Sequence, residues 1–136
     1  MSQFGTVAVQ AIILLQGNQL LSPKQAWNQV LATANLSPST KSKCCPRVAF
    51  TGLCNCGCIV GIPATIIPPP IKANARYAYE AYHILSAQNI PVALRSQVAP
   101  SQMNLWGQVL TALGIGSLSH NSQMAVVLEP WIQGLI

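Results

Sequence analysis

Acidic residues are almost absent from this chain: it has no aspartate, and Glu80 and Glu129 are its only glutamates. They fall on separate predicted helices, so paired acid–base catalysis would have to spend the only two carboxylates there are. Charged residues of either sign make up 7% of the 136 residues against 51% hydrophobic, which excludes a disordered or charge-patterned protein. Long apolar runs are missing too. Gln10, Gln16, Asn55 and Pro68 to Pro70 interrupt each stretch before the roughly 18 residues of a membrane span, so no membrane partner is expected. The first fifteen residues lack a basic flank and a small-residue cleavage site, so no signal peptide is expected and a cytoplasmic location is the default. No phosphate-cradling glycine loop, HExxH or GxSxG string occurs.

What is present reads as a single domain over 1–136, long enough to bury about two-thirds of its unfolded surface without staples. The net charge is +5 and comes from missing acids rather than from a basic run. It would still attract an anionic partner, nucleic acid or the acidic face of a protein. Five cysteines are an odd number, all within 44–58, and fit a disulfide framework poorly.

Hydrophobic periodicity predicts an all-α fold of five or six short helices joined by Pro-rich loops. Residues 3–16 are apolar around most of the helical circumference, which marks a buried helix. Ser22-Pro23-Lys24-Gln25 is a start signal, with Ser22 as cap, Pro23 in the first turn and Gln25 completing a capping box. The helix it opens, to about Asn35, carries the stripe Ala26, Trp27, Val30, Leu31 and Ala34. Residues 36–43 read as a polar loop. A further helix is expected from Pro46 to about Cys56, stopped by Gly57 with Cys58 or Ile59 folded back on its last turn. Pro63 and Pro68 to Pro70 exclude a regular helix over 59–70. Asn74 is expected to cap a helix reaching Gln88, and Ser101 to cap one carrying Leu105, Trp106 and Val109 inward, with Gly114 as its stop. The last helix begins near Ser119 to Ser122, with Asn121 or Ser122 as cap, and Pro130 is expected to kink or break it after Glu129. The strings 49–59 and 126–136 echo each other as apolar turns ending in a glycine stop.

The segments AVQAIILL (8–15), SPKQAW (22–27), CPRVAFTGLC (45–54), VGIP (60–63), NARYAYEAYHIL (74–85) and HNSQMAVVLEPWIQGLI (120–136) resemble, in order along nearly the whole chain, a family of short bacterial proteins of unknown function. CPRxAFxGLC and HNSQM are the specific segments. The resemblance implies a compact helical protein and supplies no reaction. Two positions depart from it: Ala125 stands where the pattern has an acid, and Pro130 where it has leucine. Any chemistry resting on that acid is lost in this chain.

Three constellations stand out. Lys41, Lys43 and Arg47 surround the expected helix start at Pro46, where exposed amide N–H groups and the dipole would favour a phosphate or carboxylate. The same charges would lower the Cys45 thiol. No cofactor is expected on this reading, which makes the chain a non-enzymatic binding protein. The alternative draws on the cysteine cluster from Cys44 to Cys58, with zinc held by Cys45, Cys54 and Cys58 or one thiol acting as nucleophile, although Cys45 and Cys54 are separated by most of a helix. His83, or His120 with Asn121, joined to a cysteine would make a base and orienter, but a helix cap explains that run more simply. A homo-oligomeric structural protein is a third reading, since so few charges leave apolar surface uncovered.

Overall fold

The computed structural model describes residues 2–136, which form helices and no strands. The helices are α1 (Gln3–Gly17), α2 (Pro23–Thr33), α3 (Pro38–Lys41), α4 (Cys44–Asn55), α5 (Ala73–Ser86), α6 (Val92–Val98), α7 (Gln102–Ala112) and α8 (Gln123–Ile132). Seven are full helices and α3 is a single turn. Both additions to the expected five or six lie outside the helices expected from the sequence. Ser37 caps Pro38–Lys41 with the same Ser-Pro signature that opens α2. The seven residues of α6 follow Pro91 and are tied down by Arg95 through tertiary bonds invisible in the local pattern.

Caps and stops explain most boundaries. Ser22 Oγ accepts from Gln25 N–H while Gln25 Oε1 accepts from Ser22 N–H, and Ser101 Oγ accepts from Asn104 N–H. At the end of α4, Gly57 takes φ +75°, Cys58 N–H donates to Leu53 O and Gly57 N–H to Cys54 O. This Schellman geometry folds buried Cys58 and Ile59 onto the helix. Gly134 ends α8 in the same way, with Leu135 N–H donating to Pro130 O. The two echoing strings therefore end in equivalent glycine stops, and Val60 N–H donates to Leu135 O at 2.9 Å to join them.

Four boundaries differ from expectation. Helix α4 starts two residues before Pro46, which is tolerated because first-turn amides have no acceptor within the helix. Helix α5 starts at Ala73 on Lys72, with no side-chain cap; the Asn74 amide is turned instead to Gln123 Nε2 at 2.9 Å. Asn121 does not cap α8. Its own N–H donates to Gln123 Oε1, Ser122 takes φ +67°, and the His120 ring accepts Met124 N–H at Nε2. Finally, α8 runs through Pro130 to Ile132, because Pro130 and Trp131 are buried and packing outweighs one missing hydrogen bond.

The core joins α1, α2 and α4 around Trp27, which lies between Phe4 and Phe50, to α5, α7 and α8 around Trp106 and Trp131. Ile13, on the second apolar face of α1, stays exposed, whereas Ala125 is buried at its departure from the family pattern. Close approach of α4 and α5 requires Gly52, where an added Cβ would lie 2.4 Å from the Ala75 Cβ. Helices α4, α5 and α8 run in one direction. Their starts meet at Asn74, which touches both the Cys45 thiol and Gln123. At the other end, Val60 bonds Leu135, while Arg95 links Ile90 to Trp131 and Ile136.

Candidate functional site

Parallel helices add their dipoles, so the amino end of the α4, α5 and α8 trio carries partial positive charge and the carboxyl end partial negative charge. The carboxyl end is neutralised from within the chain. Arg95 donates from Nε to Ile90 O at 3.0 Å and from Nη1 to Trp131 O at 2.7 Å and Ile136 O at 3.2 Å. Its guanidinium lies 4.9 Å from the Trp131 ring centre, adding a cation–π contact.

The amino end is built the other way. Lysine occupies the N-cap position of both α4 and α5, Lys43 and Lys72, and neither helix has a side-chain cap. A lysine has no acceptor to offer the exposed amides and adds like charge to the positive dipole end. Arg47 lies in the second turn of α4, between Cys45, which reaches Asn74, and Gly52, which packs on Ala75. Lys72, three residues before Ala75, lines a groove with Val48, Thr51, Gly52 and Asn55, the stretch of α4 that follows Arg47. Neither glutamate lies at this end: Glu80 is seven residues into α5, about 10 Å along its axis, and Glu129 packs on Gly5 of α1.

The predicted anion-binding residues are thus only partly brought together. Lys43 and Arg47 stay at the trio's amino end, whereas Lys41 turns away, its Nζ donating to Ala32 O at 3.4 Å near the end of α2. Pro46, buried in the first turn of α4, removes one donor and leaves the Cys44 and Cys45 amides at that start. Lys72 stands at the start of the neighbouring helix α5. No local signal marks it, because its relevance depends on α5 packing against α4.

The cysteines separate into two groups. Cys44 is exposed and Cys45 half-buried at the start of α4, while Cys54, Cys56 and Cys58 are buried at its end. Nine residues of helix put Cys45 about 14 Å from Cys54, so the trio Cys45, Cys54 and Cys58 cannot share one ion. Among the described residues no group of three or more His, Cys, Asp or Glu is arranged to hold a metal. Burial pushes the Cys45 thiol up, and neighbouring Cys44 adds to the rise, which corrects the expected lowering. The hydrogen bond from the Asn74 side chain works in the other direction and lowers the thiol, but desolvation outweighs it. Burial, with Cys56 nearby, pushes Cys58 up to about 12, and Cys54 rises further for the same reason, with Cys58 adding to it. Buried thiols held protonated are poor nucleophiles and poor ligands.

His120 is held by structure rather than by any cysteine. Its ring packs 5.3 Å from Trp106, whose Nε1 donates to Leu118 O, and burial lowers its pKa. His83 stays exposed on α5 against Tyr79 and Tyr82. His83 is on α5 whereas His120 lies in the loop before α8, and their contacts are with different aromatic rings.

An apolar groove of about 300 Å³ runs along α4 from Val48 to its last residue, Asn55, and reaches the start of α5. One wall is the α4 stripe Val48, Thr51, Gly52 and Asn55; the other is the segment from Ile66 to Ile71, with Lys72 and Ala75 of α5 closing it. Asn55 holds that segment, its main-chain oxygen accepting from Thr65 N–H at 2.8 Å and Ile66 N–H at 3.1 Å. Sequence reading identified the Pro-rich segment but not its role as a wall, which depends on the two bonds to Asn55.

Among the described residues no helix is long and apolar enough to cross a membrane. Comparison with known proteins matches the chain over residues 1–136 to a family of unknown function. No curated protein and no solved structure matches the chain.

Proposed function

The chain belongs to the Family of unknown function (DUF6979) over its full length, and since membership brings no activity with it, we propose that the protein is a small non-enzymatic binder of an anionic group. The anion, a carboxylate or phosphate, is held at the amino end of α4 and α5 by Lys43, Arg47 and Lys72 together with main-chain amides. One observation carries this reading: two adjacent helices begin on lysine with no side-chain cap, and both glutamates lie elsewhere. Helix starts are normally completed by an acceptor, and here the complementary charge has to come from outside the chain.

Seven basic residues in the whole chain suit one anionic group better than a nucleic-acid backbone, which engages a longer track of phosphates. The proposal is tested by following main-chain amide resonances while inorganic phosphate or acetate is added. The amides of Cys44, Cys45, Ala73 and Asn74 should shift together, less at raised salt, and the response should vanish when Lys43, Arg47 and Lys72 are all changed to Gln. Shifts spread evenly over the surface, or an unaltered response in the triple variant, would remove the proposal.

A further inference from the structure

We propose that His120 is a pH-operated latch on the segment between α7 and α8: when its ring takes up a proton, residues 115–121 come away from Trp106 and the first turn of α8 loses its cap. The inference is independent of the anion reading. Four contacts hold the segment. Trp106 Nε1 donates to Leu118 O at 2.9 Å, and Asn121 N–H donates to Gln123 Oε1 at 2.7 Å. The other two belong to the imidazole, which packs 5.3 Å from the Trp106 ring and accepts Met124 N–H at Nε2 over 3.1 Å. Among the described residues, 116–121 make no hydrogen bond between main-chain groups, and Gly114 to Ser119 are exposed. Little besides His120 therefore keeps the segment down.

Only a neutral ring can accept at Nε2. Protonated, it would set its own N–H against that of Met124, and a cation would be half-buried on an apolar wall. No carboxylate offsets this. Helix α7 has no titratable residue, and Glu129, the only one of α8, packs on Gly5 of α1. From α5, Tyr77 meets Trp106 edge-on at 5.2 Å; Arg76, Tyr79, Glu80, Tyr82 and His83 have no part in the shift, since burial is what lowers the His120 pKa from the ordinary 6.5. In water the ring returns to that value, so acid favours the open segment and neutrality the closed one. Opening also relaxes Ser122, whose φ of +67° is rarely adopted by serine. Gly114, at φ +66°, is the other pivot. The outcome is a surface around Trp106 that is covered at neutral pH and bared in mild acid.

The experiment follows main-chain amide and tryptophan indole resonances of the full chain from about pH 8 to about pH 5. Met124, residues 115–121 and the Trp106 indole should shift together, with one midpoint below 6.5, while the Trp27 and Trp131 indoles stay in place and show an intact core. His120→Gln keeps an acceptor for Met124 but cannot titrate, and should abolish the transition. His120→Ala should leave the segment open at neutral pH, with its Trp106 indole proton exchanging faster than the parent's. His83→Gln should leave the transition unchanged. A ring that titrates while the segment and Trp106 stay put would mean that Trp106 holds the imidazolium, and the latch would be overturned. A transition that persists in His120→Gln, disappears in His83→Gln or moves all three indoles together would overturn it equally.

Discussion

The two ends of the parallel α4, α5 and α8 trio solve the same electrostatic problem in opposite ways. At the carboxyl end one arginine gathers three main-chain oxygens and lies over a tryptophan ring, and glycine stops tie off α4 and α8. At the amino end, lysines stand where acceptors would serve stability better, and only α8 receives a cap, from His120. The closed end is an assembly device. The open end gives up cap energy and keeps its positive potential, the trade that the proposed anion binding would require.

The strongest test removes the alignment itself. Gly52→Ala would place a Cβ 2.4 Å from the Ala75 Cβ and 2.8 Å from its Cα. Backbone cannot yield as a flexible side chain would, so the helices must separate, and urea denaturation should show a loss of about 3 kcal/mol. The next largest effect belongs to the closed end. Arg95→Met keeps much of the packing on Trp131 but abandons three carbonyl bonds, and should cost about 2 kcal/mol in the same assay. An unchanged midpoint for either variant would refute the account of how the two ends are held.

A smaller effect should come from pH. His120 must be neutral at Nε2 to accept Met124 N–H, and burial sets its folded pKa below the ordinary 6.5. The unfolded chain therefore takes up a proton first. Stability is full above about pH 6.5 and falls as pH drops from there toward the folded value, where the loss levels off. Melting temperature measured across this range should fall less in His120→Gln than in the parent.

The smallest effect sharpens the comparison most, because it has the opposite sign. Lys43→Asp and Lys72→Asp supply the missing caps, and each should raise stability by about 0.5–1 kcal/mol while weakening anion binding. Destabilisation by both would mean that the lysines hold the fold and that the open end is not kept for a ligand.

Much of this architecture was legible residue by residue. Ser22 with Gln25, Ser101, Gly57 and Gly114 act within one helical turn, and such signals need no knowledge of the rest of the chain. Asn74 and Asn121 misled for the same reason. Each has a capping side chain at a plausible start, but Asn74 finds a better partner 49 residues away in Gln123, and His120 reaches the amide that Asn121 would have served. Helix α6 was hidden because its anchor, Arg95, bonds oxygens 36 and 41 residues further along. Of the candidate site, Lys43 and Arg47 were visible, whereas Lys72 and the groove wall were not.

The sequence by itself determined the helical class, the glycine stops, the apolar stripes that become the core, and the scarcity of acid that leaves positive charge unbalanced. All of these follow from composition or from interactions spanning a turn or two. Only the tertiary structure decided that α4, α5 and α8 point the same way, that Lys41 turns aside while the start of α5 brings Lys72 to a groove along α4, and that burial raises the Cys45 thiol. Helix direction and desolvation are set by which distant surfaces pack together, and spacing along a single chain carries no record of that.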